Sequence, residues 1–278
     1  LDNNLALAGT VIQGFPKSNK DEYTIISFLG RVNYNYDGKY FLSALYRRDA
    51  SSRFAPEHRW GNFGSVGGAW LMTKEKFLED ISWLNMLKYK ASWGIQGNDH
   101  LLILVNGEYV NNWYAYKDQY NVSYSNGQYS TTLAYKGNKD LTWEKTTQYN
   151  IGVDYSVLNG RISGVLDFYT SRTTDLLMEM TIPSLNGYTN TYANVGKTSN
   201  IGIDLTLNTV NVKTRSFEWS TSINAAWQKD KIDELANGKE DDINNSWFIG
   251  QALGVIYGYQ SAGIWKEDPD RPFNPPGK

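Results

Sequence analysis

Side chains that switch between apolar and polar on every second residue recur in eight segments of this chain, and no other feature constrains its fold as tightly. In Trp143–Tyr155, the residues Trp143, Tyr149, Ile151, Val153 and Tyr155 share one parity, and Glu144, Thr146, Gln148, Asn150, Gly152 and Asp154 the other. Successive residues of a strand point to opposite faces, so such a segment has one apolar face and one wet face. Leu87–Gln96, Asn200–Asn208, Phe217–Gln228 and Thr24–Tyr36 repeat the pattern, although Leu29 falls on the polar side of the last. Tyr40–Arg48, Phe63–Leu71 and Arg161–Thr170 carry it more weakly, with apolar residues on both faces. A strand tilted across a hydrocarbon layer needs about 9–11 residues, and length and pattern together predict an all-β, antiparallel, up-and-down transmembrane barrel wall with an aqueous lumen. A soluble antiparallel sheet with one solvated face is the alternative.

Composition agrees with a wet-lumen barrel. The chain has 20 Tyr and 10 Trp among 278 residues, and no apolar run approaches the roughly 18 residues of a helical span. A net charge of −2 without a basic stripe argues against nucleic acid as a partner. With no cysteine, neither a disulfide framework nor thiol ligation is available. Leu1–Ile12 lacks the basic start and cleavage site of a secretory signal, so an outer-membrane protein is expected to begin upstream of Leu1.

Turn chemistry gives the strands a direction. Asp37-Gly38 and Asn159-Gly160 predict tight hairpin turns on one rim. The other rim opens into long polar loops at Ala50–Asn62, Gly97–Thr142, Asp175–Thr198 and Lys231–Gln251, the expected extracellular side. On the short-turn rim only Met72–Asn85 is longer, and Lys74–Asp80 within it has helical spacing. Tyr34, Tyr36, Tyr40, Trp70, Tyr155 and Phe217 fall near the short-turn rim, and Trp93, Trp143 and Trp227 near the other, as interfacial girdles require.

Specific strings carry a resemblance. LGRVNYNYDGKYFLSALYRRDASSRF, RWGNFGSVGGAW, LKYKASWGIQGND and DLTWEKTTQYNIGVDY, followed by NVGKTSNIGIDL and GVIYGYQSAGIW, resemble collinear motifs of the SusC/RagA family of TonB-dependent outer-membrane transporters. The likeness runs from Phe28 to Trp265, with Ala50 where the family commonly has Gly and Asp99 where Gln is frequent. It implies a barrel of about 22 strands, importing glycans or peptides, energised by the TonB complex and capped by a SusD-like surface lipoprotein in the outer membrane. It further implies that residues 1–278 are one partial barrel domain, holding roughly eight to ten of those strands and neither the plug nor the closing strands.

Candidate sites follow from residue chemistry. Gly97–Thr142 interleaves aromatics with amides; Trp113, Tyr114 and Tyr116 beside Asn111 and Asn112 suit sugar rings or an extended peptide. The same residues equally suit a loop that folds onto itself or packs against a lid. Arg31, Asn33, Lys88, Lys90 and Gln148 have the parity of the lumen. No catalytic set is expected: His58 and His100 are the only histidines, each without a second ligand at metal spacing. Glu240, Asp241 and Asp242 read as a solvated acidic loop, so neither metal nor cofactor is expected. Gly64–Gly68 lacks the Lys-Ser/Thr of a phosphate loop and reads as close packing. The competing class, a carbohydrate-binding or adhesion module, would not require detergent.

Overall fold

The computed structural model describes residues 20–261, apart from 106–107, 126 and 184–189. Its strands are β1 (Ile25–Tyr36), β2 (Tyr40–Ser51), β3 (Trp60–Leu71), β4 (Leu84–Asn98), β5 (Leu102–Val105), β6 (Glu108–Asn111), β7 (Gln119–Ser125), β8 (Gln128–Tyr135), β9 (Glu144–Val157), β10 (Ile162–Thr174), β11 (Leu177–Thr181), β12 (Asn190–Asn194), β13 (Lys197–Lys213) and β14 (Glu218–Glu234). Eight of them form one sheet in the order β1-β2-β3-β4-β9-β10-β13-β14. Every neighbouring pair is antiparallel. These are the eight alternating segments of the sequence, in chain order.

Register turns parity into two continuous faces. One row across the wall runs Gly68, Ala91, Ile151, Phe168, Ile203 and Trp227. The next runs Ala69, Lys90, Gly152, Asp167, Asp204 and Ala226. A slip of one residue would exchange the faces on a whole strand, so each pairing is strongly specified. The apolar face is exposed in the chain itself: Ile151 is 61% accessible and Trp227 54%. Such a surface is unstable in water and is matched by hydrocarbon.

The turns behave as their residues dictate. Asp37 and Gly38 both take positive φ, 53° and 59°, and Lys39 N–H donates to the Tyr36 carbonyl at 3.0 Å. That left-handed pair matches the twist of the flanking strands. On the same rim, the Lys74–Asp80 helical expectation becomes two single 3₁₀ turns, Met72–Lys74 and Lys76–Leu78. Glu75 between them accepts bonds from Tyr40 Oη at 2.7 Å and Trp70 Nε1 at 3.2 Å. These donors hold its carboxyl below the usual range.

Three loop expectations are corrected. Gly97–Thr142 is not open loop: it holds the hairpins β5–β6 and β7–β8. Asp175–Thr198 holds β11–β12, and β13 already begins at Lys197. β14 extends past Gln228 to Glu234, with a register shift between Lys197 and Thr198 that admits an extra residue on its upper end. These elements stack above the rim around a compact core of Phe54, Phe63, Leu101, Ala115, Leu141, Trp143 and Tyr192. Trp143 is therefore not an interfacial girdle residue. β9 starts one residue later, the Trp143 ring is 3% accessible, and its Nε1 donates to the Arg59 carbonyl at 2.8 Å.

Candidate functional site

The polar face of the wall lines a concavity, with Asn33, Ser43, Lys90, Ser92, Asn150 and Asp167 among its residues. Strand spacing and parity place them: Asn33, Ser43, Gly67, Ser92 and Asn150 form one register row, and Tyr169 and Gly202 continue it. All five lumen residues expected from the sequence have this face's parity. Gln148 and Asn150 are joined by a hydrogen bond of 2.9 Å, and Asn150 Nδ2 donates to Ser92 Oγ at 3.3 Å. Lys88 lies over the Phe41 ring at 5.7 Å. Arg31 is exposed on the same face.

Lys90 is the hub of this surface. Its Nζ sits 2.8 Å from Asp154 and 3.1 Å from Asp167, which are carried by different strands. Asp204 stands opposite Asp167 in the register, so the hub is one cation bordered by three carboxylates. Gly152 lies between Lys90 and Asp167 in the row, and a Cβ there would fall on both side-chain ends. The glycine is what lets the pair close across β9. Gly152→Ala should push the Lys90 and Asp167 ends apart at a cost of about 1 kcal/mol or less, because the pair is partly exposed. Denaturant titration of the whole protein checks this; a loss of several kcal/mol would mean that the pair is far better shielded than its exposure indicates.

At the rim, a second hub is Arg53, 6% accessible. Its guanidinium packs on the Trp113 ring at 4.2 Å and the Tyr23 ring at 5.1 Å. Its nitrogens donate to the Asp99 carbonyl at 3.1 Å and to Asn111 Oδ1 at 3.0 Å. Asp99 in turn accepts from Ser51 Oγ at 2.6 Å and Tyr23 Oη at 3.0 Å. Burial, then Asp99, pushes the Tyr23 phenol up. This hub ties the lead-in to β1, the β2–β3 loop and the aromatic loop into one unit.

The expected ligand residues divide here. Asn111 also meets His100 Nε2 at 2.9 Å, and Asn112 is buried, accepting from Tyr114 N–H at 3.1 Å. Trp113 is engaged by Arg53, and Tyr114 Oη accepts from Glu22 N–H at 2.9 Å. Lys117 lies over both the Tyr114 and Tyr116 rings, at 5.4 and 5.3 Å. The loop's first aromatics thus fold it onto itself. Tyr120, Tyr124 and Tyr129 on β7–β8 stay exposed, with the Tyr124 and Tyr129 rings 4.8 Å apart. The sequence places Lys90 on the lumen face without its carboxylate partners, and it does not mark the Arg53 hub. Asp154 and Asp204 were legible as polar-face residues, but cross-strand partnership requires register.

Glu240–Asp242 builds a turn: Asp241 accepts from Ile249 N–H at 2.7 Å and Asp242 from Asn245 N–H at 3.1 Å. Among the described residues no group of three or more His, Cys, Asp or Glu side chains is placed to hold a metal ion. His58 lies 3.7 Å from Asp140, and His100 Nε2 meets the Asn111 amide oxygen at 2.9 Å.

A two-faced antiparallel wall with tight turns on one rim and folded hairpins on the other defines a section of an outer-membrane-type β-barrel. The chain belongs to the family described as TonB dependent receptor-like, beta-barrel, which it matches over residues 2–269. It is similar to the TonB-dependent receptor SusC of Bacteroides thetaiotaomicron, 36% identical over 79% of this chain and 22% of the relative. TonB-dependent receptor P39 of Formosa agariphila is 32% identical over 92% of this chain and 24% of its own length. The chain therefore spans about a quarter of the length of these curated relatives. Among solved structures, the RagAB peptide transporter superposes with a TM-score of 0.73 at 31% identity, covering 82% of this chain and 25% of that one. The family comprises receptors and transporters rather than enzymes.

Proposed function

We propose that residues 1–278 are one partial barrel domain of an active outer-membrane nutrient importer of the SusC/RagA type. In this reading the imported substrate is a glycan or an oligopeptide, TonB supplies the energy, and a SusD-like surface lipoprotein covers the long-loop rim. The observation that carries it is the division of one wall into an apolar face fit for lipid and a polar face running up to an aromatic roof. The names of the relatives support it, SusC among receptors and a RagAB peptide transporter among structures. The lumen residues Arg31, Asn33, Lys88, Lys90 and Gln148 would line the passage. Trp113, Tyr114, Tyr116, Asn111 and Asn112 would frame the entrance, the first of them through the Arg53 hub.

Uptake tests the reading. Cells producing the full-length protein with its surface lipoprotein should take up either a labelled oligosaccharide or a labelled oligopeptide, and lose that uptake when TonB is deleted. Uptake of neither class, or uptake that persists without TonB, would defeat it.

A further inference from the structure

The charged residues of the wall are unevenly divided between its two faces. From Asp49 on β2 to Asp230 on β14, every carboxylate of the eight wall strands has the parity of the concave face; Asp233 and Glu234 follow at the irregular top of β14. The apolar face carries six cations, Arg48, Lys145, Arg172, Lys197, Lys229 and Lys231, and the only wall-strand carboxylates that reach them are Asp233 and Glu234 at its upper edge. All six lie in the half of the wall next to the long loops. Lys145, Lys197 and Arg48 are engaged away from the other three. Lys145 pairs with Asp175 at 3.8 Å, Lys197 pairs with Glu234 at 2.6 Å, and Arg48 lies over the Trp60 ring at 4.8 Å.

Arg172, Lys229 and Lys231 form one patch. Arg172 stands opposite Ser199, Ser199 opposite Lys231, and Ile201 opposite Lys229. With strands about 4.8 Å apart, Arg172 and Lys231 face each other across β13 at roughly 10 Å between backbones. The small Ser199 stands between them, and its Oγ is buried without a hydrogen-bond partner. All three cations are exposed. Lys231 shares its charge with Asp233 at 3.1 Å, whereas the side chains of Arg172 and Lys229 have no ion-pair partner among the described residues.

Depth identifies what they meet. On this face Trp93, Tyr149 and Ile201 lie level with Lys229, and Arg172 and Lys231 come one row higher. The patch therefore begins where the apolar band ends. A cation facing lipid is costly at the midplane and nearly free at the interface, where basic clusters attract anionic headgroups. We propose that Arg172, Lys229 and Lys231 bind the phosphate-bearing headgroup of a lipid in the leaflet on the long-loop side. Arg172 offers a planar fork for two phosphate oxygens and the lysines supply point charges from β14, across the intervening β13. Confinement to one face and one depth favours a lipid over an acidic protein partner, which would contact the exposed roof instead. The site is independent of what the barrel transports.

The test uses the full-length protein in detergent, titrated with short-chain phosphatidylglycerol and read by native mass spectrometry. R172Q/K229Q/K231Q should bind roughly a hundredfold more weakly than wild type, and R172Q or K229Q alone about fivefold. The single variants keep the test open if the triple variant fails to fold. K213Q, at the opposite rim, should bind as wild type. Phosphatidylcholine should bind equally to all of them and weakly. Equal phosphatidylglycerol binding by wild type and the single variants would overturn the site. Competition by millimolar inorganic phosphate alone would assign it to free phosphate and overturn the lipid assignment.

Discussion

Arginine in place of Ile203 is expected to cost the assembled barrel about 2–4 kcal/mol, and arginine in place of Asp204, one residue further on, far less. Ile203 stands opposite Phe168 on one side and Trp227 on the other, in the middle of the apolar band of β13. A guanidinium there must reach past at least one further apolar row before it finds water or a headgroup. Asp204 instead stands opposite Asp167, beside the Lys90 hub, on the face that lines the concavity. Arginine at that position remains hydrated and gains a carboxylate neighbour, which offsets the charge it removes. Denaturant titration of the full-length protein folded into vesicles measures both. Equal costs at the two positions would mean that both faces see the same solvent, and the barrel reading would fail.

How much of this was legible beforehand depends on what each feature needs. Alternation in Leu87–Gln96 or Asn200–Asn208 is a local property, and it is the same property that buries one face of a strand in lipid. All eight wall strands and the faces of Ile151, Ile203, Asn150 and Asp204 could therefore be read directly. Their neighbours in the sheet followed from the tight turns at Asp37-Gly38 and Asn159-Gly160 and the up-and-down order. The roof could not be read in the same way. In Tyr120–Tyr135 the alternation is short and no residue is charged, so hairpin and polar loop look alike. Trp143 shared the parity of Tyr149 and Ile151, but parity holds only while the strand lasts, and β9 begins at Glu144. Beyond that point tertiary burial set the direction of the ring. Arg53, Asp99 and Tyr23 are brought together from three separate segments, and no spacing in the chain announces them.

Trp143→Ala should therefore act on the roof and spare the wall. The ring is 3% accessible and packs edge-on against Phe63, centroids 5.2 Å apart, and against Phe54 at 5.6 Å. Removing it empties the centre of the only compact apolar cluster among the described residues and strips a donor from the Arg59 carbonyl. Truncation of a buried aromatic costs about 3–5 kcal/mol. That loss should appear as opening of the Ser52–Arg59 and Gly97–Thr142 segments, since the wall strands hold their own ladders and their apolar face is stabilised by lipid. Trp143→Phe keeps most of the packing and loses the bond to Arg59, at about 1 kcal/mol. Proteolysis of intact cells producing the full-length protein separates the two effects. The alanine variant should be cut rapidly within the roof while the membrane-embedded strands stay protected, and the phenylalanine variant should resist nearly as wild type does. Unchanged roof protection in the alanine variant would show that the Arg53 hub holds these hairpins without the apolar core. Loss of protection in the wall as well would show that roof and wall fold as one cooperative unit, with Trp143 at the joint between them.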